Sequence, residues 1–162
     1  MKGKLLIPLV LSLLVVFSIA KATDISVSAS VQKYISVTFS YNAVNYGTLI
    51  AGSSNNPAPD QADGVYNVTV DTNYAYDVKA YGTDFSDGAG HSFAISNLKL
   101  DTDSTTSGLN INNAVSLSTT EQTIDSYDYT VTQNYHGYWL SIPSGQYAGT
   151  YTATVTINYV NQ

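Results

Sequence analysis

The chain of 162 residues contains no cysteine. No disulfide can staple it, and no thiol can serve as nucleophile or metal ligand. Arginine is absent too: the six basic residues are all lysine, set against 12 acidic ones, for a net charge of −6. Nucleic acid and anionic membrane surfaces are poor partners for such a body. Histidine is limited to His91 and His136, and glutamate to Glu121. The chain has no Gly-x-Ser-x-Gly elbow, and a carboxylate pair for glycoside hydrolysis would have to come from loop aspartates. An enzyme is not expected, and the two isolated histidines read as packed or surface residues.

What is present begins with a leader. Met1-Lys2-Gly3-Lys4 is a basic head, Leu5 to Ile19 an almost unbroken apolar run, and Ala20-Lys21-Ala22 a small-x-small cleavage site. This pattern predicts a secretory signal over 1–22, cut before Thr23, and hence a secreted or cell-surface product. A retained anchor is the alternative, but the run is shorter than the ~20 residues a membrane span needs, so no stable membrane insertion is expected after cleavage. The remaining 140 residues suit one domain. Lys2, Lys4 and Lys21 leave with the signal, so three lysines face 12 acidic residues and the mature charge is −9. Without disulfides, stability must come from packing, glycans, ions or association.

The mature sequence reads as strand after strand. In Asp24 to Val31, Ile25, Val27, Ala29 and Val31 alternate with Ser26, Ser28 and Ser30, which puts the four apolar groups on one face of an extended chain. Gln32-Lys33 interrupts, and Tyr34 to Tyr41 resumes the alternation. Val44 to Leu49 predicts a short strand. Val65 to Asp71 and Tyr74 to Tyr81 predict a hairpin turning at Asp71-Thr72-Asn73. Further strands are expected at His91 to Ile95, Leu98 to Leu100, Leu109 to Ser118, Tyr127 to Tyr135, Gly137 to Ile142 and Thr150 to Val160. No helical periodicity follows residue 22. Eight to ten short strands between Gly, Pro, Asn and Ser turns predict a single all-β antiparallel sandwich of immunoglobulin-like type, with a barrel as the second architecture.

Few residues carry candidate chemistry. Asp101 and Asp103, with Ser104 and Gly108, place two carboxylates and a hydroxyl in one flexible loop that a calcium ion can use, although the closing Glu of an EF-hand is missing. Asp84 and Asp87 form a looser cluster, and a solvated acidic loop is the plain reading of both. Asn67-Val68-Thr69 is a glycosylation sequon whose acceptor faces away from Tyr66, Val68 and Val70. Fourteen tyrosines mostly alternate within strands and read as cross-strand packing. An exposed stripe of tyrosine with Trp139 would instead suit stacking on sugar rings, the basis of a monomeric carbohydrate-binding alternative.

Two segments carry a resemblance. Asn45-Tyr46-Gly47-Thr48-Leu49-Ile50-Ala51-Gly52-Ser53 near the start, with Ile142-Pro143-Ser144-Gly145-Gln146-Tyr147-Ala148-Gly149-Thr150-Tyr151-Thr152-Ala153-Thr154-Val155-Thr156 at the end, resembles secreted β-sandwich pilins. The beginning and end are similar to spore-coat-U-like chaperone-usher pilins. The cysteine-free, Tyr/Thr/Ser-rich composition is similar to subunits of archaeal threads and bundling pili. The resemblance implies a signal at 1–22, a donor strand at 23–33 and a pilin domain at 34–162. It implies a homopolymer in which Ile25, Val27, Ala29 and Val31 of one subunit complete the sandwich of the next. Adhesion or biofilm cohesion through bundling with neighbouring filaments is the expected role.

Overall fold

The computed structural model describes residues 26–162, so the signal expected over 1–22 and Ile25 of the N-terminal strand lie outside the described residues. Contacts divide the chain after Val31. Of the first unit, Ser26 to Val31 has no regular secondary structure and is exposed throughout. Gln32 to Gln162 carries every described strand.

Eleven strands follow in order: β1 (Ile35–Phe39), β2 (Asn56–Pro57), β3 (Asn67–Thr72), β4 (Tyr76–Gly82), β5 (Phe85–Ser86), β6 (Ser92–Phe93), β7 (Leu98–Asp103), β8 (Val115–Ser116), β9 (Gln122–Tyr127), β10 (Gln133–Leu140) and β11 (Val155–Asn161). Three single 3₁₀ turns, at Gln61–Asp63, Ile95–Asn97 and Thr106–Gly108, are the helical content among the described residues. None of it is long and apolar enough to cross a membrane.

The larger sheet runs β1-β3-β10-β7-β8, with β2 added to β10. The smaller runs β11-β4-β9, and β5-β6 form a separate ribbon. All of the pairings are antiparallel. Period-two patterning explains why the two sheets stack. Along β4, Tyr76, Val78, Ala80 and Gly82 are buried while Asp77, Lys79 and Tyr81 are not. Along β3, Val68 and Val70 turn inward and meet Tyr76 and Val78 in one cluster. A second cluster is built from Leu98, Leu100, Tyr138 and Leu140 of the large sheet with Ala80, Phe85, Phe93 and Ile95. The fold is an all-β antiparallel sandwich, as expected.

Several local expectations change. β3 and β4 do not form a hairpin: β3 pairs with β1 and β10, β4 with β11 and β9. The alternation was read correctly, but both strands bury their apolar faces against each other across the core, so the chain at Asn73-Tyr74 crosses between sheets. Val44 to Leu49 forms no strand, having found no ladder partner. Tyr127 to Tyr135 divides between the end of β9, a turn and the start of β10. Leu109 to Ser118 shrinks to β8, and His91 to Ile95 to β6. The polar run Asp101 to Asp103 belongs to β7, because β10 pairs with it through Tyr135↔Asp103.

Gly82, at the end of β4, stands where two segments approach closely. A Cβ there would lie 2.9 Å from the Thr154 carbonyl oxygen and 3.1 Å from Ile95. Backbone cannot yield as a flexible side-chain tip can. Gly82→Ala is expected to destabilise the domain by ~1–3 kcal/mol, read as a lower urea midpoint at unchanged slope.

Candidate functional site

β11 pairs only with β4, so its other edge is unpaired among the described residues. Beside it the sandwich is open. A groove of about 930 Å³ is lined by Val155 and Ile157 of β11, by Phe85 and Phe93, by Leu140 of β10, and by the segment from Tyr41 to Leu49. Tyr151 and Ala153 extend the same wall below β11, where Thr152 bridges to Ser86. The lining is chiefly aliphatic and aromatic, which suits an apolar occupant.

The facing segment is anchored at its two ends and by its side chains. Ser40 N–H donates to the Asn67 carbonyl at one end, and Gly52 N–H donates to that of Ile142 at the other, at 2.9 Å each. Between Tyr41 and Ile50, the only main-chain N–H with a protein acceptor among the described residues is that of Gly47, which donates to Asn45 Oδ1 at 2.9 Å within the segment. Tyr41, Val44, Tyr46 and Leu49 pack as half-buried groups against the core. The Tyr46 hydroxyl is buried without a partner, and burial raises its pKa.

A buried polar chain closes the inner wall. His136 is fully buried on β10, between Tyr41 and Tyr159. Asn134 Oδ1 can only accept, so the Tyr159 hydroxyl donates to it at 3.1 Å. His136 Nε2–H then donates to Tyr159 at 2.8 Å, and Nδ1 accepts from Tyr41 at 2.5 Å. Tyr138 completes the chain by donating to the Tyr41 oxygen at 2.6 Å. The arrangement requires a neutral imidazole. Burial holds its pKa at about 3, and its hydrogen-bond partners are tyrosines rather than carboxylates. The same burial pushes the hydroxyls of Tyr41, Tyr138 and Tyr159 well above their ordinary range.

The residues singled out in the sequence fall in separate places. Val27 and Val31 are 88% and 84% exposed, and Ala29 is exposed with them. Asn67 is half-buried on β3, on the face opposite the buried Val68, and Thr69 is exposed beside it. Asp101 and Asp103 are not the flexible loop expected. Asp101 is buried, accepts from the Asn110 N–H at 2.7 Å, and has a pKa raised by burial. Asp103 Oδ1 is occupied by Thr105 N–H and Oγ1. Among the described residues, no three His, Cys, Asp or Glu side chains gather as a metal site. Asp84 accepts from the Ile95 N–H, while Asp87 pairs with His91 at 2.6 Å, which lowers the Asp87 pKa. Trp139 is only 8% exposed and does not present its ring to a sugar.

Sequence reading missed the polar chain, because its members are far apart in the chain and no local motif marks them. The one available signal was Asn134, His136 and Tyr138 alternating on an inward strand face. No family model matches the chain, and no curated protein matches it.

The His136 environment sets a pH dependence. The unfolded chain binds a proton on this histidine near pH 6.5, while the folded protein does so only near 3. Stability from this group is therefore fully present above 6.5 and is lost as pH falls toward 3, at up to ~1.4 kcal/mol per pH unit. Asp101, with its raised pKa, acts in the opposite direction on acidification. Urea unfolding at pH 7, 6 and 5 should show the decline in wild type and a flatter profile in His136→Gln, since the difference between the two cancels the carboxylates.

Proposed function

We propose that the protein is the structural subunit of an extracellular filament, and that the segment Asp24 to Val31 of one copy fills the groove beside β11 of the next. The observation that carries this reading is the unpaired edge of β11 above an open apolar groove. An unpaired edge is a template for another chain. An incoming strand gains main-chain hydrogen bonds along the edge and seats alternate side chains in the groove. Residues from Gln146 to Ile157 contribute to the groove lining, a stretch longer than the eight residues of Asp24 to Val31.

The N-terminal segment has the complementary character. Val27 and Val31 are large aliphatic groups left in water, and burying each is worth ~1.5–3 kcal/mol. The intervening serines would face outward and keep the joint soluble. A homopolymer follows, since every copy carries both parts. The filament would serve adhesion or biofilm cohesion, and a glycan on Asn67 would leave the face of β3 opposite the buried Val68.

Electron microscopy of the protein as its host processes it tests the proposal. Wild type should form filaments, and a version lacking Thr23 to Val31 only monomers. Val27→Asp is the sharper variant, because an exposed valine contributes little to the isolated fold. Its free energy of unfolding should stay within ~0.5 kcal/mol of wild type while filaments disappear. Normal filaments from Val27→Asp would sink the donor assignment.

A further inference from the structure

The three residues through which the chain enters the sandwich, Gln32 to Tyr34, are held by a set of contacts that the ladder of β1 does not account for. The β1–β3 pairing ends at Ile35↔Thr72. Beyond it the main chain of β3 is lost as a partner, because Asn73 begins the crossing to β4. The Asn73 side chain takes over. Its Oδ1 accepts from the Tyr34 N–H at 2.9 Å and its Nδ2 donates to the Gln32 carbonyl at 2.8 Å. One side-chain amide thus does for Gln32 and Tyr34 what the N–H and C=O of one residue on a neighbouring parallel strand would do. The Tyr34 carbonyl accepts from Thr72 Oγ1 at 2.8 Å, so both main-chain groups of Tyr34 are satisfied by side chains.

Side chains of the same residues are fixed as well. The Tyr34 hydroxyl donates to Asp71 Oδ1 at 2.8 Å, which raises the tyrosine pKa. Lys33 Nζ lies 3.5 Å from the centre of the Tyr74 ring and donates to the Gln162 carbonyl at 2.5 Å. Gln162 is itself tied down, its N–H donating to the Ala75 carbonyl and its Nε2 to Asp77 Oδ1. Each contact is exposed and modest alone. Together they hold successive residues from both sides of the chain.

Gln-Lys carries no turn signature, so the sequence left open whether this joint is loose. We infer that Asn73 is a positioning residue that holds Gln32 to Tyr34 fixed on the domain, making the joint between successive subunits rigid up to Gln32. The inference rests on the filament reading for its consequence, a stiff filament, but the clamp lies wholly within Gln32 to Gln162. Its partner is the outgoing strand of its own chain, while the groove beside β11 would receive the incoming one.

Asn73→Ala and Asn73→Asp test it. The aspartate keeps the acceptor for Tyr34 N–H but loses the donor to Gln32. In the wild-type monomer, the Gln32 to Tyr34 amides should be as ordered by ¹⁵N relaxation as those of β1. The Tyr34 amide should exchange about five- to tenfold faster in Asn73→Ala, with Asn73→Asp between. Filaments of Asn73→Ala should form in normal yield, with an unchanged melting temperature, but bend more, read as a shorter persistence length in micrographs. Filaments as straight as wild type would overturn the inference and leave the filament reading intact. If wild type forms no filaments, the filament reading fails alone and the relaxation data decide. Mobile Gln32 to Tyr34 in the wild-type monomer would then overturn the clamp.

Discussion

The buried chain from Tyr138 through Tyr41, His136 and Tyr159 to Asn134 is the constraint on which the open side of the sandwich depends. It joins the central strand β10 of one sheet to the edge strand β11 of the other and to the start of the Tyr41–Leu49 segment. Burying a polar group without a hydrogen bond costs more than a bond contributes, and beside this chain only the Asn134 Nδ2 and the Tyr46 hydroxyl are buried without a partner among the described residues. Tyrosine supplies such partners while its ring adds apolar area. Phe39, Tyr41, Tyr66 and Tyr138 also meet edge to face around His136, a geometry aromatic rings favour. In a domain without disulfides, this cluster takes over the cross-linking of the layers.

The same architecture explains where the molecule is unfinished. Tyr159 and Phe39 meet where β1 and β11 come together, so the sheets close at that end. Below it the chain leaves β1 and spans the gap as an irregular segment whose amides pair with no strand. The sandwich is therefore closed by the polar chain at one end and open along Val155 and Ile157 at the other. An apolar groove next to a free strand edge is a liability in a monomer and a joint in a polymer.

Much of this was legible in the chain itself. The alternation in Thr150 to Val160, Tyr74 to Tyr81 and Tyr34 to Tyr41 located three strands, since period two is a local property of an extended backbone. The inward placement of Val68 and Val70, and with it the outward face of Asn67, followed in the same way. The groove was not legible. It arises from residues more than 100 positions apart, and nothing in Val44 to Leu49 marks an apolar run that fails to pair. Asp101 and Asp103 misled, because polar composition suggested a loop where β10 supplied a ladder.

Composition and periodicity alone determined that this is a cysteine-free, acidic, all-β chain with an N-terminal leader pattern and an alternating segment behind it. Those are local or summed properties, and each residue contributes to them wherever the chain goes. Which strands pair, by contrast, depends on contacts between distant segments. Only the tertiary structure decided that β3 and β4 lie in opposite sheets, because two half-apolar strands in succession satisfy a hairpin and a sheet crossing equally well. The burial of Val68 and Val70 against Tyr76 and Val78 selects the crossing. That crossing brings the Asn73 side chain to Gln32 and Tyr34, while β11 is an edge strand among the described residues.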